Sequence, residues 1–241
     1  MAHRKIRRAL RAFLAGVGIA AVLGCTADGG ATGKSDPPRR SVTTGASPEG
    51  TPSETPSPTK PPAPAPTPAP MTARLTIPAI GLEGLRVIPY QGTTDDWPGT
   101  RIQNRGDGAS PYGKRGGVGP GQVGNYLVTA HRLSAGGPLR RLPELAEGEP
   151  VHVTAGGKRY EYEITDSRRT SFRSARSLAE QRAAVPGRPG ERPTQAMITV
   201  STCLTPEDDA AGNFWRDDRG NPEHRIDKIG VLTATRAAPG T

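Results

Sequence analysis

Cysteine is nearly absent from this chain: its 241 residues contain two, Cys25 and Cys203. A disulfide framework of the kind that staples small secreted domains is thereby excluded. Aromatic residues make up only 4% of the sequence, and no basic stripe is interleaved with them. That removes the stacking platform and the charge footprint of a nucleic-acid binder. The formal net charge of +9 does not restore that reading. Arg4, Lys5, Arg7, Arg8 and Arg11 fall in residues 1–24 with no acid among them, so the remainder carries a scattered +4. Residues 12–24 form an apolar stretch of only 13, against the roughly 20 that a membrane-spanning helix needs. Metal-site spacing is missing too. His131, His152 and Cys203 are not set as zinc ligands, and Glu207-Asp208-Asp209 is one bunch of hard oxygens, read as a solvated loop rather than a calcium site. No metal and no cofactor is expected. Gly119-Pro120-Gly121-Gln122-Val123-Gly124 matches the GxGxxG string, but it precedes a strand instead of opening a helix, so it reads as a turn.

What is present divides into three parts. Residues 1–24, a basic start followed by a short apolar run, read as a secretory signal peptide of the lipoprotein type. It ends in Val22-Leu23-Gly24-Cys25, which resembles a bacterial lipobox, so Cys25 is the expected lipidation site and the lipid the expected membrane anchor. A signal anchor left uncleaved is the alternative. Residues 25–70 form the linker. From Thr26 to Pro70 there is no Leu, Ile or aromatic residue, while twelve of the chain's 26 prolines lie between Pro37 and Pro70. Such a stretch cannot bury enough apolar area to fold. Its Pro-Ala-Pro repeats favour polyproline II, and at about 3.1 Å per residue it reaches on the order of 140 Å. A stalk that lifts a domain off a membrane is the natural reading.

Residues 71–241 are enough for one domain with a core. Short apolar runs between glycine and proline turns predict strands at 74–78, 85–90, 126–130, 150–154, 159–165, 196–202 and 229–235, with one helix at 174–185. The pattern predicts an all-β fold, an antiparallel barrel or sandwich rather than α/β layers.

Two of these strands end in reactive side chains. Met197-Ile198-Thr199-Val200-Ser201-Thr202-Cys203 carries the lone thiol of the domain, and Asn125-Tyr126-Leu127-Val128-Thr129-Ala130 runs into His131. A thiol and an imidazole on two strand ends are the parts of a cysteine nucleophile with its acid–base partner. Acyl transfer also needs a fixed donor for the oxyanion. Arg225, opening the last strand, is the first candidate, and Arg216, beside Phe214-Trp215 in the intervening loop, is the rival. His152 reads as an ordinary strand residue and His224 as a solvated turn residue.

These residues resemble the sortase transpeptidases. Thr199-Val200-Ser201-Thr202-Cys203 is similar to that family's TLxTC strand, with a histidine upstream and an arginine downstream. Leu75-Thr76-Ile77-Pro78-Ala79-Ile80-Gly81-Leu82 looks like its LxIPxIxL opening, and the stretch from Leu142 to Val153 follows its xLxxLxxGDxVxV segment. The actinobacterial class E and F enzymes are the nearest in pattern. The interval of 22 residues between Cys203 and Arg225 is longer than the family's usual one. The resemblance implies a closed eight-stranded β-barrel with short helices and long loops. It implies that Cys203 cleaves an LPxTG- or LAxTG-like sorting signal after threonine through a thioester, with His131 as acid–base and Arg225 at the oxyanion. The implied partners are surface proteins bearing that signal, a peptidoglycan amine as acceptor and the membrane through the lipid, with no nucleic acid.

Two alternatives stand beside it. Papain-like wall peptidases place cysteine before histidine, the reverse of the order here, and L,D-transpeptidases need a clustered histidine–glycine–cysteine motif that is missing. A non-catalytic lipoprotein on a stalk leaves the ordered histidine, cysteine and arginine without a purpose.

Overall fold

In the computed structural model, which describes residues 70–238, eight strands close into a barrel in the order β1-β2-β3-β4-β7-β8-β6-β5. They are β1 (Ala73–Ile77), β2 (Leu82–Gln91), β3 (Gly108–Tyr112), β4 (Gly124–Thr129), β5 (Pro150–Ala155), β6 (Lys158–Ser171), β7 (Ala196–Cys203) and β8 (His224–Ala237). Three short helices, α1 (Trp97–Gln103), α2 (Ala175–Arg182) and α3 (Thr205–Ala210), lie in the connections. The closed all-β barrel implied by the family resemblance is borne out. The antiparallel expectation needs a correction, because β2 pairs with β3 and β4 with β7 in parallel. Parallel neighbours require long crossovers, and the segments from 92 to 107 and from 130 to 195 supply them.

Alternation builds the core. Leu75 and Ile77 of β1, Val151 and Val153 of β5 and Tyr162 and Ile164 of β6 all face one interior with Tyr126, Val128, Ile198 and Val200. Burial of each such side chain contributes on the order of 1.5–3 kcal/mol. Strands β4 and β7 are buried on both faces, which explains their unbroken apolar reading. Their second face is covered by the crossover that carries α2. Ser174 caps that helix by accepting from Ser177 N at 3.1 Å. Asn125 Nδ2 on β4 then donates to the carbonyls of Gln181 and Ala183 at 3.0 and 3.1 Å and holds the end of α2 in place. Strands β6 and β8 pair over 14 residues each, with two register shifts that bend the ribbon around the barrel.

Candidate active site

The sheet sets Cys203 and Arg225 opposite each other on β7 and β8, and His131 follows two residues after β4, the neighbour of β7 on its other side. Cys203 ends β7 directly opposite Arg225 of β8. The parallel register of β4 and β7 runs from Gly124↔Ala196 to Thr129↔Ser201, and His131 and Cys203 each follow two residues after that last pair. Bonds beyond the ladder hold that continuation: Ala130 N donates to Ser201 O at 3.3 Å and Thr202 Oγ1 to Ala130 O at 2.8 Å. The spacing of 72 between His131 and Cys203 is thus the register offset of a parallel pair.

Each side chain has its own support. His131 Nε2 lies 2.7 Å from Asn104 Oδ1, at the end of α1. With that oxygen as acceptor the ring donates from Nε2, and Nδ1 is the nitrogen left to take a proton. Burial pushes the imidazole below its ordinary range; the Asp95 charge works against this and Arg225 adds to it. Cys203 is partly exposed, and its Sγ lies 3.8 Å from Asn221 Oδ1. Burial pushes the thiol up to about 11, Arg225 opposes the shift, and Asp95 adds to it. At neutral pH both members of the pair are therefore uncharged.

Arg225 is only 1% exposed. Burial alone disfavours its charge, but the Asp95 carboxylate outweighs this, with the Cys203 sulfur adding to it when ionised, so Arg225 stays a cation. Asp95, at 4% exposure, is its ion-pair partner, and the ring of Phe172 stacks 4.6 Å from the guanidinium carbon. Gln103 Nε2 donates to Asp95 Oδ1 at 3.3 Å. Arg216 goes elsewhere. It binds Asp209 and the carbonyl of Trp215 at 2.5 and 2.8 Å inside the β7–β8 loop.

That loop is more ordered than the solvated stretch expected from its sequence. Asp208 is fully buried on α3, where it accepts from His224 N at 2.9 Å and from Arg169 NH2 at 2.8 Å, with His224 Nδ1 at 2.9 Å. His224 is accordingly a clasp residue and not a solvated turn. His152 lies on β5 as read. Among the described residues no group of three or more metal-ligating side chains comes together. None of their helices is long and apolar enough to cross a membrane. Cys25 and the residues before it lie outside the described part.

Asp95, Asn104, Phe172 and Asn221 escaped the sequence reading. Asp95-Asp96 before Trp97-Pro98 was the one available signal, since an aspartate ahead of an early proline marks a helix start. Asp96 does cap α1, accepting from Gly99 N at 3.0 Å.

The family model for the sortase domain matches residues 75–214. The chain belongs to the sortase family. It is therefore a cysteine transpeptidase of the sortase type, and Cys203 and His131 lie within the matched part, with Arg225 just beyond it. Solved structures with the same fold include the sortase SrtA of Actinomyces oris, 18% identical, with a TM-score of 0.52 over 69% of this chain and 82% of that one. Sortase E of Streptomyces avermitilis is 23% identical, with a TM-score of 0.50 over 70% and 91%. The sortase SrtF of Corynebacterium diphtheriae is 16% identical, with a TM-score of 0.52 over 74% and 94%. No curated protein matches the chain. Sortases act on surface proteins that bear sorting signals and on cell-wall amines, outside the cytoplasm.

Proposed function

We propose that residues 71–241 form the catalytic domain of an extracytoplasmic transpeptidase in which Cys203, His131 and Arg225 do the chemistry. The observation that carries this reading is their placement on neighbouring strands, with Cys203 opposite Arg225 and His131 two residues after β4. Because thiol and imidazole are both neutral at rest, the first step transfers the proton. Nδ1 of His131 takes it as Cys203 Sγ bonds to the carbonyl carbon of threonine in an LPxTG- or LAxTG-like signal. The imidazolium then protonates the departing amine as the C–N bond breaks, which leaves a thioester on Cys203. The same nitrogen deprotonates the incoming peptidoglycan amine in the second half, and the thiol is released. Arg225 is fixed by Phe172 and Asp95 and stabilises the tetrahedral oxyanion. Residues 1–24 are the signal peptide, Cys25 carries the lipid, and 25–70 is the stalk that sets the domain's distance from the membrane.

The test is incubation of the protein with LPxTG and LAxTG peptides and a glycine or diaminopimelate-type amine, followed by intact-mass measurement. A thioester on Cys203 that Cys203→Ala lacks, together with an amine-ligated product, is the expected result. Turnover that survives in Cys203→Ala would sink the proposal.

A further inference from the structure

Next to the Asp95–Arg225 pair lies a cavity of about 340 Å³. Its walls come from three segments: Thr93 and Asp95 ahead of α1, Phe172, Leu178 and Arg182 from the end of β6 and from α2, and Trp215 from the β7–β8 loop. Phe172 links it to the reacting centre, because the same ring stacks on Arg225. The lining charges are unequal in one respect. Asp95 is held by Arg225, and Asp96 by Thr93 N and Gly99 N at 3.0 Å each. Asp217 is held by Arg219 and Asn221. Arg182 has no carboxylate partner among the described residues. Its one hydrogen bond is from NH1 to the Thr93 hydroxyl at 3.1 Å, and a second cation, Arg115, acts on its charge.

A half-buried guanidinium with five donors and a cationic neighbour is an incomplete ion pair. Burial, and then Arg115, push its proton affinity below the usual arginine range, as they do when the counter-ion is missing. A position at the end of α2 favours positive charge there but leaves most of the donors unused. The size of the missing anion follows from its surroundings. Three acids share the cavity, so a dianion such as phosphate meets about twice the repulsion that a single carboxylate bound to Arg182 does.

We propose that Arg182 forms a carboxylate-binding subsite in the cavity next to the Asp95–Arg225 pair, which takes a carboxylate of a substrate of the transpeptidase. The carboxylate comes either from an acidic side chain of the sorting signal or from the group next to the attacking amine of the acceptor. This rests on the transpeptidase reading given above, and the test separates the two.

In the donor arm, the full-length protein receives peptides with Glu or Gln at positions flanking the Thr–Gly bond, and thioester formation is followed by hydrolytic turnover. In the acceptor arm, a neutral donor peptide is paired with glycine or diaminopimelate and with their amides, and ligated product is measured. Wild type is expected to prefer the carboxylate form about 10- to 100-fold in one arm. Arg182→Gln abolishes that preference, Arg182→Lys keeps part of it, and neutral substrates turn over equally in all three. The absence of any preference in wild type, or its survival in Arg182→Gln, overturns the proposal. If no peptide is turned over, the proposed LPxTG- or LAxTG-like signal fails by itself. The subsite is then judged by titrating glutarate into a Trp97→Phe background, where Trp215 is the one remaining indole. A saturable change in emission that Arg182→Gln removes supports the site, and a flat titration overturns it.

Discussion

Asp95 adopts a positive φ of 59°, a conformation that costs a non-glycine residue on the order of 1–2 kcal/mol. What maintains it is the buried ion pair with Arg225 that it completes. Its carboxylate acts on the thiol with a definite sign. A negative charge near Cys203 disfavours the thiolate, so Asp95 adds to the upward shift caused by burial. Alkylation of wild type by iodoacetamide is therefore expected to keep rising through pH 9, with its midpoint near the thiol value of about 11. Asp95→Asn lowers that midpoint by about one unit, and it costs about 3 kcal/mol of stability because Arg225 loses its buried partner. The pH dependence of the alkylation rate, followed by intact mass, measures the first effect, and urea unfolding measures the second. An unmoved midpoint would refute this role for Asp95. The cross-strand partners were legible at this scale: the residue types and order of His131, Cys203 and Arg225 are visible in the chain. Asp95 was not, because nothing local reveals which distant cation an aspartate in a turn will meet.

The β7–β8 connection shows what happens at the scale of elements. Pro206 ends the strand pattern, and it equally sits in the first turn of α3, where its missing N–H is harmless. Pro98 does the same in α1. Neither helix is legible in the sequence, because each is too short to show a periodicity. From α3, Asp208 reaches the start of β8 and fixes the loop that joins Cys203 to Arg225. Its carboxyl lies below the usual range: burial raises it, but the bonds from His224 and Arg169 outweigh that. A depressed folded value means that this stabilisation is present above about pH 4, the unfolded carboxyl range, and is lost as pH falls through the folded value. Asp208→Ala is expected to cost about 3 kcal/mol at pH 7, to expose the 205–223 loop to proteolysis, and to flatten part of the acid limb of the stability curve. Thermal unfolding from pH 3 to 7 with limited proteolysis checks all three. A loop that stays protease-resistant in Asp208→Ala would refute the clasp.

Across the whole molecule, one buried carboxylate ties together the segments that surround the site. Asp227 lies two residues beyond Arg225 and opposite Ser201. It accepts from Thr170 Oγ1 of β6 and Ser201 Oγ of β7 at 2.5 Å each, and from Gln181 Nε2 of α2 at 2.8 Å. Gln181 Oε1 in turn accepts from Thr94 Oγ1 at 3.0 Å, next to Asp95. These polar demands also explain where the sequence fell short. The first half of β8 reads His-Arg-Ile-Asp-Lys, and the second half of β6 reads Asp-Ser-Arg-Arg-Thr-Ser, so neither shows the alternation that marked 229–235 and 159–165. β3, Gly-Ala-Ser-Pro-Tyr, shows none at all. Strand pattern held for β4 and β7, which lead to His131 and Cys203, and failed where buried polar contacts replace apolar alternation, as in the first half of β8 that carries Arg225 and Asp227. Burial raises the Asp227 carboxyl, and Arg225 and the three bonds offset this only in part. A raised folded value means that its contribution is full below about pH 4 and is lost as pH rises through the folded value. Asp227→Asn keeps the shape, cannot ionise, and its hydroxyl partners can turn to suit it. It is expected to lie within about 1 kcal/mol of wild type at pH 5 and to gain on it at pH 8. Asp227→Ala leaves three buried donors unpaired and is expected to lose about 2–4 kcal/mol at both values. Urea unfolding of the three proteins at pH 5 and pH 8 separates the cases. If Asp227→Asn falls as far as Asp227→Ala at pH 8, the fold depends on the negative charge itself, and the site is held by an ion network rather than by hydrogen-bonding shape.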